Sequence, residues 1–403
     1  MKWIFFAWKN VLRNRRRSLT AMLITAVGVA AVLIGGGFAL YTYESLREMT
    51  ARDTGHVVLA HAKYYEGDED VPLQNGLAGA AELRAALAQL PGVKAVLPRV
   101  AFSGLISNGD KSAVFVGSGV DPDPEFRLRG PQMNFTEGEA PAADAPVPEV
   151  VLGADLARLM KAKPGTSLTL LATTTEGNLN AMDVVVKGIA SVGVPEVDKR
   201  LVIADIATAQ RLLLTDKVSA LSIYLRDTEG TGSVAAALRT AHPDKAVRTW
   251  ADLAVFYQAV RALYNRIFGI LGAIMVVIVV FAMANTLGMA VMERTREIGT
   301  LRAIGTLPGE IVRNFVLEGA MIGAIGAGAG MLAAATATVA LAFSDLQMPP
   351  PPGRSVGYPL LVNFSSELYV TVLTVVVLVA ALSAWTVSRK AARKPIPEAL
   401  SHV

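Results

Sequence analysis

The stretch "MERTREIGTLRAIGT", residues 292–306, follows directly on an uncharged run long enough to cross a membrane. Its ionised residues, Glu293, Arg294, Arg296, Glu297 and Arg302, with Glu310 further on, accompany an apolar series at helical spacing. That series is Ile298, Leu301 and Ile304, continued after the "GTLPGE" turn by Ile311 and Phe315. Charge at this density closes a span, so the uncharged runs around it decide the fold. There are four, at 18–43, 267–292, 319–344 and 368–388. Each reaches the roughly 20 residues that cross about 30 Å of hydrocarbon, whereas a buried core helix needs only about 10–14. The first run has a basic flank, "KNVLRNRRRS", as a secretory signal would. Its apolar part is too long for one and ends in no A-x-A-like site, so it reads as a retained anchor.

Composition agrees. At 52% hydrophobic residues and a mean hydropathy of +0.43, the 403-residue chain is too apolar for a soluble protein of its size. With 18% charged residues it is too polar to be wholly embedded. The absence of cysteine excludes disulfides, thiolate metal sites and a thiol nucleophile.

Lys2, Lys9, Arg13, Arg15, Arg16 and Arg17 precede the first run, and Arg294, Arg296, Arg302 and Arg313 lie between the second and third. Arg389, Lys390, Arg393 and Lys394 follow the fourth, whereas the 345–367 loop holds only Arg354. The positive-inside bias therefore puts an amphipathic segment 1–17, the 293–318 loop and the tail 389–403 in the cytoplasm, and 44–266 and 345–367 outside. Segment 44–266 carries more acidic than basic residues, so the basic charge sits where lipid headgroups are and a nucleic-acid partner is not expected. The fold class expected is an α-helical membrane protein with four transmembrane helices and a large extracytoplasmic α+β domain inserted between helices 1 and 2.

Within that domain "AAELRAALAQL" followed by "PGVKAVLPRVAFSGLI", and "SVAAALRTA" followed by "HPDKAVRTW", read as two helix–strand units. They define one lobe, 44–120 with 221–262, around an inserted β-rich lobe, 121–220, entered through a Pro/Ala/Glu-rich linker at 135–149. Gly319 with Gly323 and Gly326 with Gly330 form small-xxx-small pairs suited to close helix contact within or between subunits.

Catalytic motifs are missing. There is no G-x-x-x-x-G-K-[ST] phosphate cradle and no G-x-S-x-G elbow. His56 and His61 point to opposite faces of a strand, and "EGDED" (66–70) lacks the spacing of a Ca²⁺ loop. No metal site is expected. For 292–306 composition leaves two readings: a positive-inside loop with surface ion pairs, or an element that docks into a cytoplasmic partner, with Gly299 and Gly305 allowing close approach.

"MERTREIGTLRAIGTLPGEIV" resembles the cytoplasmic signature of the ABC-transporter permease superfamily of the mechanotransmission type, which includes lipoprotein-release, macrolide-export and cell-division permeases. "SRKAARKPIPEAL" looks like the family's usual ending, and "LPRVAFSGLISNGDKSAVFVGSGVDPDPE" (97–125) looks closest to the lipoprotein-releasing members. The resemblance implies a multi-pass protein of the bacterial inner membrane that pairs with a second copy or paralogue and with a cytoplasmic ABC ATPase dimer. ATP and Mg belong to that partner, and this chain carries no cofactor. Glu293, Arg294, Arg296, Glu297, Ile298, Gly299, Leu301, Arg302, Ile304 and Gly305 would couple to the ATPase. A lipoprotein or lipid-like substrate would place its acyl chains between the first two spans, against Leu33, Ile34, Phe38, Leu40, Tyr41, Tyr264, Ile267, Phe268, Leu271 and Met275, residues that ordinary packing or contact with membrane lipids also explains. The chaperone-recruiting member of the lipoprotein system has a protruding loop where this chain leaves only "NLN" (178–180), which puts recruitment of a periplasmic carrier by this chain in doubt. A signalling scaffold controlling an envelope hydrolase, or efflux through a periplasmic adaptor, are the alternatives the layout allows. A reporter fused after Val403 is expected in the cytoplasm and one inserted near Gly177 outside; finding both on one side would overturn the four-span reading.

Overall fold

The computed structural model describes residues 2–13, 15–66, 70–129, 133–143, 145–344, 346–349, 357–393 and 395. In chain order the elements are α1 (Lys2–Arg13), α2 (Arg15–Thr54), β1 (Val57–His61), α3 (Ala80–Ala88), β2 (Val93–Ser107), β3 (Ser112–Val120), α4 (Pro122–Arg129), β4 (Asn134–Gly138), β5 (Glu149–Gly153) and α5 (Ala154–Met160). They continue with β6 (Ser167–Thr173), β7 (Leu179–Ser191), α6 (Pro195–Asp198), β8 (Leu201–Asp205), α7 (Ile206–Leu213), β9 (Ala220–Leu225), α8 (Thr231–Ala241), β10 (Lys245–Thr249) and α9 (Trp250–Leu253). The long helices α10 (Val255–Glu293), α12 (Pro308–Ala342) and α13 (Ser366–Ala392) follow, with the short α11 (Thr295–Ala303) between the first two. The chain divides into a helical unit, 1–43 with 260–347 and 359–403, and an inserted unit, 44–259 with 348–358.

In the helical unit α2, α10, α12 and α13 are long and apolar enough to cross a bilayer. Their contacts rest on glycine. A Cβ on Gly319 or Gly323 would lie 2.7 Å from the Cβ of Ala384 or Ala380, so this pair seats α12 on α13. One turn further along, a Cβ on Gly326 or Gly330 would come within 2.9 Å of the Met22 carbonyl oxygen or 2.5 Å of that of Ala26, which seats α12 on α2. Both pairs are therefore used inside the chain. The run Gly35–Gly36–Gly37 does the same for α2, where added Cβ atoms would meet Phe268 of α10 at 2.6 Å, Leu368 of α13 at 2.9 Å and the Asn363 carbonyl at 2.6 Å. Lipid tails are as apolar as leucine, so close van der Waals packing, rather than exclusion of water, holds such helices together.

The inserted unit is built on one branched sheet. Strands β10–β1–β9–β2 run antiparallel. Leu87 of α3 and Ala235 and Leu238 of α8 join the core they share with Val57, Leu59, Leu221 and Ile223. The 15-residue β2 then continues beyond β9, bonding β3 on one edge and β6 on the other. From β3 the ladder passes through β8, β5 and β7 to β6 and so back to β2, closing a six-stranded barrel. Inside it Phe102 and Phe115 meet edge to face at 5.5 Å, each opposite a glycine on the neighbouring strand, Gly117 and Gly104. A Cβ on Gly117 would lie 2.5 Å from the Phe102 ring, so the aromatic side chain takes the space the glycine leaves.

Two expected boundaries move. The lobe break falls inside β2 rather than after residue 120, because β3 pairs with β8 and barrel closure requires it. The expected linker at 135–149 starts as strand β4, paired with β7. Phe135 packs against Phe126, ring centroids 5.5 Å apart and tilted by 47°, and covers Val151, Ala190 and Ile203 on the barrel's outer wall. Composition hid one anchoring aromatic among prolines and alanines.

Replacing Gly330 by Val forces a side chain against the Ala26 carbonyl and Val29 and should lower thermal stability in detergent by about 1–3 kcal/mol. Gly328→Val, where a Cβ meets nothing within 4 Å, should leave melting unchanged. Equal melting of the two variants would contradict the packing described.

Candidate functional site

Helix α11 is fixed from inside. Arg294, 7% exposed, sits between α10 and α11 and reaches Glu318 of α12, itself 2% exposed, with Nη1 3.5 Å from Oε2. Ile298 packs with Leu287, Ile311, Phe315 and Ala384, and Gly299 is buried beside it. The helix ends in a Schellman turn. The Thr306 amide donates to the Leu301 carbonyl at 3.0 Å and the Gly305 amide to that of Arg302 at 3.1 Å. Gly305 has φ +103°, a region side-chain-bearing residues rarely adopt, and open space around its Cβ position. Its glycine is thus required by the turn, whatever approaches it. The Leu307 amide then donates to Glu310 Oε2 at 3.4 Å as α12 begins.

What projects is an apolar knuckle: Ile304 is 75% exposed, Leu307 66% and Leu301 41%. Arg296 is exposed beside it and Arg302 half-buried. The two acids are engaged elsewhere, Glu293 with Arg17 at 2.6 Å and Glu297 with Arg13 at 3.3 Å. Those ion pairs are exposed and individually weak, yet both tie α11 and the end of α10 to the N-terminal segment. The ten residues expected to couple are therefore divided. Arg294, Ile298 and Gly299 face inward, Glu293 and Glu297 hold the N-terminal segment, and Arg296, Leu301, Arg302, Ile304 and Gly305 face out or lie at the rim. Leu307, exposed beside them, lies in the turn off the helical stripe and was not among the ten.

The residues expected between the first two spans also separate. Leu33 and Met275 are buried with Val29, Val279 and Met283, and Ile34 packs against that cluster. Phe38 lies 6.4 Å from Tyr264, which lies 6.1 Å from Phe268 and 6.2 Å from Tyr43. The Tyr43 hydroxyl donates to Asn265 Oδ1 at 2.9 Å. Leu40 and Ile267 are exposed and Tyr41 is half-buried. This aromatic contact closes the level at which the groove was expected. The open groove, about 490 Å³, lies one to two turns deeper, lined only by apolar residues: Leu23, Val27 and Ala31 of α2 and Leu271, Ile274 and Ile278 of α10 among them. Of the ten expected residues only Leu271 and Met275 line it. Small residues explain the depth, since Gly28, against Met275, and Ala31 leave room where Phe268 fills it above.

No group of three His, Asp or Glu that could hold a metal occurs among the described residues. His56 Nδ1 accepts from the Leu225 amide at 3.3 Å and its Nε2 lies 3.2 Å from the Thr228 hydroxyl. Burial, and then the Lys94 charge, hold its pKa below the ordinary value. His61 Nδ1 accepts from the Lys63 amide. The β6–β7 hairpin closes through residues 174–178, with the Thr174 amide donating to the Asn178 carbonyl at 2.7 Å, so of the "NLN" expected between the strands only Asn178 belongs to the turn and the other two residues begin β7.

Residues 18–241 match the model of the MacB-like periplasmic core domain, and residues 269–396 that of the FtsX-like permease C-terminal region. The lipoprotein-releasing system transmembrane protein LolC of Neisseria meningitidis is 25% identical over 81% of this chain and 80% of its own length. The corresponding LolE of Haemophilus influenzae is 24% identical over 79% and 78%. The periplasmic region of MacB from Actinobacillus actinomycetemcomitans is 14% identical, with a TM-score of 0.37, over 49% of this chain and 89% of that structure.

Truncating Glu318 to Leu should destabilise the protein by about 3–5 kcal/mol, because it strands the Arg294 charge in a buried site. Removing both charges, as Arg294→Met with Glu318→Leu, should restore most of the loss. Thermal unfolding in detergent measures both, and a double variant no better than the single one would refute a paired role.

Proposed function

This chain belongs to the ABC-transporter permeases with a MacB-like periplasmic core domain and an FtsX-like C-terminal region, close to the lipoprotein-release permeases, and from that premise we propose that it is a non-catalytic membrane subunit driven by a separate ATPase. The observation that carries the reading is the knuckle at Leu301, Ile304 and Leu307. Three exposed apolar side chains on a rigid turn mark a protein contact rather than a solvated loop. A groove on a cytoplasmic ATPase receives the knuckle, with Arg296 and Arg302 at its rim. ATP and Mg bind in that partner, and both termini share the cytoplasmic side with α11. Motion of the knuckle passes through Arg294–Glu318 and the Ile298 cluster into α12.

The substrate is lipidated or lipid-like, drawn from the outer leaflet of the inner membrane. A groove without a polar lining residue accepts hydrocarbon and offers nothing to orient a polar solute. A second copy, or a paralogue, completes the assembly. The five-residue β6–β7 turn gives this chain no protruding loop toward a periplasmic carrier, so in an assembly with a paralogue, recruitment of a carrier falls to that paralogue.

Ile304→Arg should weaken copurification of the ATPase at least about tenfold, equivalent to about 1.4 kcal/mol, with insertion and melting unchanged. Purified alone, the chain should hydrolyse no ATP. A photo-crosslinking residue at Ile274 should capture lipid or lipopeptide, whereas one at Leu332, exposed on α12, should capture far less of the lipopeptide. Wild-type ATPase recruitment by the Ile304 variant would remove the coupling role, and equal lipopeptide capture at both positions would remove the groove.

A further inference from the structure

The last turn of any α-helix leaves four backbone carbonyls without helical partners. At the end of α2, whose last residues belong to the inserted unit, all four are accounted for, and three are taken by side chains of β2 and β9 in that same unit. The Gly55 amide, at φ +93°, donates to the Ala51 carbonyl at 2.9 Å. The Tyr224 hydroxyl donates to the Arg52 carbonyl at 3.0 Å, the Arg99 guanidinium to the Asp53 carbonyl, and the Ser222 hydroxyl to the Thr54 carbonyl at 2.8 Å. Arg99 also donates through Nη2 to Glu125 Oε1 and to the Tyr224 hydroxyl, each at 2.7 Å. Glu125 is 2% exposed and belongs to α4, which leads off the barrel strand β3. Arg99 lies on β2, and Ser222 and Tyr224 on β9, the two strands next to each other in the sheet. A fixed guanidinium at a helix C-terminus also suits the negative end of the helix dipole. Arg99 and Glu125 sit near the two ends of the 97–125 stretch that resembles lipoprotein-releasing permeases, and no role described so far uses them.

We propose that Arg99, Glu125, Tyr224 and Ser222 form a transmission clasp that makes the end of α2 move as one body with β2, β9 and α4. Helix α2 is continuous from Arg15 to Thr54, so these carbonyls end the same helix that carries the first apolar span. The two-residue link to β1 and the His56 amide bond to the Ile223 carbonyl fix where the helix ends but leave its rotation about that link to other contacts. Three side-chain donors on two adjacent strands, braced by a buried carboxylate, supply them. The proposal deepens the ATP-driven reading and rests on it for the source of the motion, whereas the rigidity of the joint is independent of it.

The chain lacks cysteine, so label pairs can be introduced directly in the full-length protein. Spin labels at Glu48→Cys on α2 and Lys94→Cys on β2, both exposed positions, report the helix–sheet distance. With the clasp intact the distribution should be narrow and identical in the nucleotide-free and ATP-vanadate-trapped complexes. Tyr224→Phe removes one donor, and Arg99→Met with Glu125→Leu removes the ion pair without stranding a charge. Each should make the nucleotide-free distribution roughly twofold wider and introduce a nucleotide-dependent shift, while melting of the inserted unit stays cooperative. A merely stabilising role would lower the melting temperature and leave the distance independent of nucleotide, which would overturn the proposal. So would narrow, nucleotide-independent distances in the variants, or a nucleotide-dependent distance in the parent. Should no ATPase bind the parent protein, the permease reading fails, and the nucleotide-free widths still decide whether the clasp exists.

Discussion

Backbones that touch are the condition on which the helical unit depends. Between helices in lipid there is no water to expel, and each glycine in a helix costs about 1 kcal/mol relative to alanine. The glycines of α12 repay that cost twice over, because Gly319 and Gly323 face α13 while Gly326 and Gly330 face α2. Glu318 immediately precedes the first of them. The anchor for Arg294 is therefore carried on the same stretch of α12 that is most tightly packed, and the knuckle outside inherits its rigidity from contacts inside.

A comparable economy appears in the inserted unit, where β2 belongs to two structures at once. Its first half is a strand of the four-stranded sheet and its second half a stave of the barrel. Displacement of the sheet cannot leave the barrel behind, since they share fifteen residues of one backbone. The short helices α5 and α7 add Leu156, Met160, Leu212 and Leu213 to the barrel core, which runs without a break into the core of the sheet.

Much of this was legible in the sequence. Spans follow from the absence of charge, and the α+β character of the insertion from helix–strand spacing. What escaped has identifiable causes. Ile298 and Leu301 occupy one helical stripe, yet the 3.6-residue period could not say that Ile298 faces Phe315 while Leu301 faces out. Gly305 was read as a site of close approach when its sign of φ was the stronger reason. The groove was placed at the outer halves of the first two spans because the family resemblance put it there; here aromatic residues fill that level, and glycine and alanine below leave the gap open. The barrel was invisible because closure joins β2 to β6 and β3 to β8, pairings between residues far apart in sequence that no local pattern encodes.

Nesting one unit inside the other has a consequence for the order in which the chain can be made. Strand β1 finds its neighbours only in β9 and β10, so the first sheet stays open until residues 245–249 have been synthesised and moved out of the ribosome and translocon. The end of α2 is likewise left without Tyr224 and Ser222 until β9 is available. Non-local pairing of this kind is slow and exposes strand edges meanwhile. Once complete, the sheet ends in two strands of five residues each, β10 and β4. Lys245 and Arg248 on β10 discourage a further strand from adding there. The topology thus confines the aggregation hazard to the interval of biosynthesis and leaves little of it in the finished protein.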